Sequence, residues 1–145
     1  MLEDLRRQVV ETVSPLSDEQ INQTVPGLRN TIGILLKHIA GAERYWIGEV
    51  AGGRAAQRNR DAEFEPAPVR KDEALAETER VAALSSEVLD RLTRDDLLVE
   101  VEAQRPRGMV RETKAGALLL ATQHVSYHLG QIRYLARLLQ GPRER

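Results

Sequence analysis

At 145 residues the chain has single-domain size and can bury a sizeable core. Its formal net charge of −1 gives no electrostatic footprint for nucleic acid, and the cluster Arg105, Arg107, Arg111 is too small to change that. The absence of cysteine excludes disulfides, thiolate metal sites and a cysteine nucleophile, and no uninterrupted apolar run approaches the roughly 20 residues that span a bilayer.

The first predicted helix carries Leu2, Leu5, Val9 and Val13 on one stripe, with acids and arginines opposite. This charged, amphipathic start is unlike a signal peptide, and the expected location is cytoplasmic. Ser14-Pro15 ends the helix, because the residue before proline is pushed out of the helical region. Ser17 and Gln20 have the spacing of a capping box for a short turn over 18–22, and Pro26-Gly27 breaks the chain.

Asn30 or Thr31 can cap the second helix, predicted over 31–50. Ile32, Leu35, Leu36, Ile39, Ala42, Trp46 and Val50 form its buried face, and Gly52-Gly53 stops it. Residues 54–70 are charged, contain Pro66 and Pro68, and read as a long crossover loop. A third helix is predicted over 71–92, faced by Ala74, Leu75, Val81, Leu84, Val88, Leu89 and Leu92. Thr93-Arg94-Asp95-Asp96 reads as a cap or turn. Leu97, Val99 and Val101 then alternate as in a short extended segment. Pro106 and Gly108 interrupt again. A fourth helix begins near Thr113, runs to about Leu139 with Ala117, Leu120, Ala121, Ile132, Leu135 and Leu139 inward, and is closed by Gly141-Pro142.

Aromatics make up only 3% of the chain, so the core must be mostly Leu, Val, Ile and Ala, a palette of packed helices. The expected fold is one all-α domain over 1–145: a four-helix bundle with a long crossover between helices two and three. An irregular α domain with a small hairpin near 97–110 is the alternative.

The chain holds three histidines, and their placement carries the functional reading. His124 and His128 are four apart in the last helix, so they share a face with Cβ atoms about 6 Å apart. His38 lies in the second helix between core-facing Leu35 and Ala42. If these helices pack side by side, all three imidazoles can hold one metal ion, leaving positions open for water or substrate. Burying imidazoles without partners is costly, and a metal removes that cost. Imidazole suits zinc, nickel, copper and ferrous iron; zinc or nickel is expected first, then iron. The spacing matches that of HExxH, but Val125 stands where that motif has its glutamate, which rejects zincin peptidase chemistry.

Gln131, three residues after His128, points the same way and can bond a ligand histidine or substrate. Thr31 and Tyr45 lie seven residues before and after His38, on its stripe. Both are candidate substrate or supporting residues. Glu43 is a weak ligand candidate, better suited to a surface salt bridge, and Trp46 better suits the core. Arg133 and Arg137 fit a solvated face. Glu43 and Glu112 are the nearest guesses for a general base.

The stretch HVSYHLGQIRYLARLL, with His124, His128, Gly130 and Gln131, resembles the terminal-helix signature of the DinB-like superfamily, small bundle proteins named for DNA-damage-inducible members. GLRNTIGILLKHIAGAERYWI, with His38 and Tyr45-Trp46, resembles that family's second helix. Nothing in 52–111 is diagnostic. The resemblance implies a four-helix bundle with a crossover, a divalent metal on His38, His124 and His128, and a homodimer. Related activities include metal-dependent transfer of low-molecular-weight thiols such as bacillithiol and mycothiol, thiol-dependent maleylpyruvate isomerisation, and hydrolysis. The leading expectation is a metal-dependent thiol S-transferase acting on a small molecule, with the thiol as co-substrate. A metal-dependent hydrolase and a non-catalytic, metal-stabilised stress or binding module are the alternatives.

Overall fold

The computed structural model describes residues 1–140. Helix α1 (Leu2–Val13) forms where the apolar stripe predicts it, with Val9 and Val13 fully buried. Ser14, however, keeps helical dihedrals (φ −51°, ψ −41°). The helix stops not because Ser14 leaves the helical region but because Pro15 has no N–H to continue the ladder. The capping box is present before α2 (Asp18–Asn22): the Ser17 hydroxyl accepts from Gln20 N–H at 3.1 Å, and Gln20 Oε1 accepts from Ser17 N–H at 2.9 Å. Gly27 turns the chain at φ +81°.

Thr31 caps α3 (Ile32–Glu43), its hydroxyl accepting from Ile34 N–H at 3.2 Å. This cap is buried, where no water can replace it, so Thr31→Ala is expected to cost about 1 kcal/mol in urea unfolding. An unchanged midpoint would show that the cap contributes nothing.

From Arg44 the predicted second helix becomes π-helical, Arg44–Ala51, with Gly52 N–H reaching back to Ile47 carbonyl at 2.9 Å. The wider turn rotates side chains away from the α-helical pattern. Ile47 is buried, whereas Trp46, expected in the core, is only half-buried. Gly53 ends the segment at φ +70°.

The 54–70 connection is not structureless. It holds a helical turn, α4 (Arg60–Glu63), capped where Asn59 Oδ1 accepts from Ala62 N–H at 3.1 Å. Helix α5 (Lys71–Arg91) buries Ala74, Val81 and Val88, but Leu89, expected on the same face, is exposed. A 3-10 turn (Asp96–Leu98) occupies the start of the expected extended segment. Strand β1 (Glu100–Arg105) then pairs antiparallel with β2 (Gly108–Thr113), Glu100 opposite Thr113 and Arg105 opposite Gly108. The chain is mostly helical, as expected, and a two-stranded sheet is added to it, close to where the alternative reading placed a small hairpin. Pro106-Arg107 makes its turn, and Gly108 supplies the φ of +117° that other residues avoid. Helix α6 (Lys114–Gln140) follows β2 directly, and the expected stop at Gly141-Pro142 lies outside the described residues.

Helix α6 packs on α1, α3 and the π-helical segment, α3 packs on α5, and α5 touches α1. Val9, Ile32, Leu35, Ile39, Val125, Leu129 and Ile132 form the main core between them. A second cluster, with Tyr45, Ala51, Ala103 and Ala117, seats the hairpin. Among the described residues no helix is long and apolar enough to cross a membrane.

Candidate metal centre

The packing of α3 on α6 brings the three histidines together. His124 Nε2 lies 2.9 Å from His38 Nε2 and 3.2 Å from His128 Nε2. One nitrogen from each residue falls within 4.8 Å of the others. Two nitrogens bound to one tetrahedral zinc at about 2.0–2.1 Å are about 3.3 Å apart, so the spacing suits a shared ion.

The outer nitrogens set the tautomers. His38 Nδ1 lies 2.8 Å from Glu63 Oε2. Burial alone would raise the Glu63 pKa, but hydrogen bonds from Arg58 and His38 outweigh it and hold the carboxyl below its ordinary range. An ionised carboxylate only accepts, so His38 Nδ1 donates and Nε2 presents its lone pair. His128 Nδ1 likewise donates to Gln131 Oε1 at 2.6 Å. Two lone pairs therefore face His124 Nε2, and at most one proton can lie among the three nitrogens. A cation satisfies all three. This donor set fits a divalent metal.

Burial, then repulsion from His128, His38 and Arg58, pushes the His124 pKa down to about 3. Burial also lowers that of His128, although its bond to Gln131 opposes the shift. Neutral imidazole is the form that binds metal. The folded-state pKa values lie below the unfolded value, so below about pH 6.5 the unfolded chain takes up more protons. The contribution of His124 and His128 to stability should be level above pH 7 and fall as pH drops through 6.5, by up to about 1.4 kcal/mol per pH unit for each of the two. Urea unfolding of chelated protein from pH 8 to 5 tests this. Constant stability across that range would contradict it.

His124 Nδ1 is buried with no hydrogen-bond partner among the described residues. Phe64 packs beside His38, ring centroids 4.6 Å apart. The centre opens onto a cavity of about 1040 Å³ whose wall includes His38, His124, Tyr45, Trp46, Arg58 and Tyr127. Arg58 lies over the Tyr45 ring, 5.7 Å from its centroid, and Arg105 lies over Trp46 at 5.4 Å.

The other sequence candidates separate. Gln131 stands beside His128, and its amide nitrogen donates to Tyr127 Oη at 3.3 Å. Tyr45 lines the cavity by its ring while its hydroxyl clamps β1, accepting from Gln104 N–H at 2.6 Å and donating to Gln104 carbonyl at 3.1 Å. Thr31 is the cap of α3, two turns before His38. Glu43 is not a surface residue: it is 2% exposed, bridged by Arg6 and Ser85 between α1, α3 and α5. Glu112 pairs with Arg105 at 2.9 Å. Arg133 and Arg137 are exposed.

Sequence reasoning missed Arg58, Glu63 and Phe64, all from the connection it left as a loop. The signal present was Asn59 three residues before Ala62, the spacing of a capped helical turn.

A mostly helical domain with a three-histidine cluster between two helices fits a metal-binding protein. Residues 1–132 match the model of the DinB superfamily, and the chain belongs to that superfamily. The crystal structure of a conserved protein from Enterococcus faecalis is similar, with a TM-score of 0.73 at 16% identity over 97% of this chain and 94% of that one. At that identity the likeness speaks for the fold alone. No curated protein matches the sequence.

Proposed function

We propose that the chain is a divalent-metal-dependent thiol S-transferase, built as a four-helix bundle of α1, α3, α5 and α6 with the 54–70 connection as its crossover. The observation that carries the reading is the opening of the three-histidine cluster onto a large cavity. A structural metal site is closed by a fourth protein ligand, whereas a catalytic one keeps a position for substrate. A bound zinc, nickel or iron ion supplies positive charge that favours the thiolate of an exogenous thiol.

The chain's own residues do the rest. Glu63 and Gln131 hold His38 and His128 with Nε2 turned toward His124 Nε2, where the three imidazoles would hold an ion. Tyr45, Trp46 and Tyr127 give the small-molecule electrophile an aromatic wall. Glu43 and Glu112 spend their oxygens on arginines, so neither serves as base for water. This favours a thiol over hydrolysis, although Asp61 on the cavity wall keeps a hydrolase as the second reading. Exposed Leu119, Tyr127, Tyr134 and Leu138 on α6 support a homodimer, and the location we assign is the cytoplasm.

The test uses protein purified without a histidine tag: metal analysis, then rates with a model electrophile and several small thiols. Metal-loaded, metal-stripped and His38→Ala proteins are compared. Thiol transfer by the loaded wild type alone is expected. Equal rates in all three at the uncatalysed background would remove the reading, and ester cleavage without thiol would replace it with the hydrolase.

A further inference from the structure

We propose that Glu63, held by Arg58 and seated in a recess that only a glycine at position 41 leaves open, is a positioning residue that sets the metal affinity of the centre through His38. The inference rests on the metal-binding reading above and adds a device from a part of the chain with no metal ligand.

The geometry has three parts. Glu63 Oε2 receives His38 Nδ1–H at 2.8 Å, which fixes the imidazole ring and leaves Nε2 as the donor atom. Arg58 grips the same carboxylate with two bonds, Nε to Oε1 at 2.7 Å and a terminal nitrogen to Oε2 at 2.8 Å. A two-pronged guanidinium grip fixes the plane of the carboxylate as well as its charge. The third part is Gly41, on α3 one turn after His38. A Cβ built there would overlap Oε1 of Glu63 and come within 2.8 Å of its carboxyl carbon. The carboxylate therefore lies against the α3 backbone, in space a side chain would fill.

The support is unequal around the centre. His38 has a charged, doubly anchored acceptor, and His128 has the neutral amide of Gln131. His124 Nδ1 has no partner among the described residues. A carboxylate behind an imidazole makes its other nitrogen a stronger donor and holds its orientation. His38 is thus the best-prepared ligand, and the connection between α3 and α5 is a working part of the site.

Gly41 makes the proposal separable from a general stabilising role. Alanine is a much better helix former than glycine, so Gly41→Ala favours α3 itself while displacing the carboxylate. The two effects have opposite signs. We expect the metal-free Gly41→Ala protein to melt no lower than wild type while its zinc affinity falls about 10–100-fold, and Glu63→Gln to weaken zinc to a similar degree. Affinity is read by competition titration with zinc alone against a chromophoric chelator, beside wild type and a His38, His124, His128→Ala triple variant. Wild-type zinc affinity in both Glu63→Gln and Gly41→Ala would overturn the proposal while leaving the metal reading intact. Failure of wild type to bind more tightly than the triple variant would overturn both. Should Gly41→Ala not fold, Glu63→Gln decides by the same reading.

Discussion

Replacing His124 with alanine should abolish tight metal binding and remove the stabilisation that metal confers. His124 is the hinge of the cluster, its Nε2 within 3.2 Å of both other histidines. Without it, His38 on α3 and His128 on α6 remain as two donors, too few to hold an ion firmly. A ligand that binds only the folded state adds about 4 kcal/mol at a thousand times its dissociation constant. In a domain of this size each kcal/mol moves the melting temperature by about 4 °C. Excess zinc should therefore raise the wild-type melting temperature by about 15 °C and leave His124→Ala nearly unmoved. With a chelator present most of the difference should close. An equal zinc-induced rise in both proteins, measured by calorimetry, would show that the ion sits elsewhere.

The second large effect lies away from the metal. Arg6→Ala should destabilise the fold by about 3–5 kcal/mol, lowering the melting temperature by about 12–20 °C. Glu43 has a side chain only 2% exposed, and that of Arg6 is 11% exposed. Three close Arg6–Glu43 contacts, the shortest 2.6 Å, and the Ser85 hydroxyl at 2.6 Å satisfy the carboxylate. Removing the guanidinium strands a buried charge with a single hydroxyl. Replacing both partners, as in Arg6→Met with Glu43→Leu, should recover most of the loss, because no charge is left behind. Urea unfolding of these two variants beside wild type measures this. A loss below about 1 kcal/mol in Arg6→Ala would mean that the pair is effectively solvated.

What could be read from the sequence was what depends on local chemistry. Ser17 with Gln20, Thr31, Pro15 and Gly53 act within a few residues and each marks an element end, while Gly27 makes the turn between α2 and α3. The histidines were legible because a spacing of four on an apolar helix face survives into any packed arrangement. Glu63 was not legible. Its bond to His38 spans 25 residues and depends on how the connection folds back over α3. Glu43 misled because it lies off the stripe that carries His38, and its burial is permitted by Arg6 and Ser85, 37 and 42 residues away. Trp46 was misplaced because a face drawn at 3.6 residues per turn fails where the helix widens. Gly41 offered an unused clue, since an isolated glycine inside a helix often marks a close approach.

The central claim, an accessible ion held by three imidazoles, is tested most directly by X-ray absorption at the edge of the metal bound to untagged protein. We predict three imidazole nitrogens at about 2.0–2.1 Å with light, non-protein oxygen in the remaining positions, and a change in those positions alone when a small thiol is added. Fewer than three imidazoles, or a closed sphere of four protein ligands that ignores the thiol, would contradict the account.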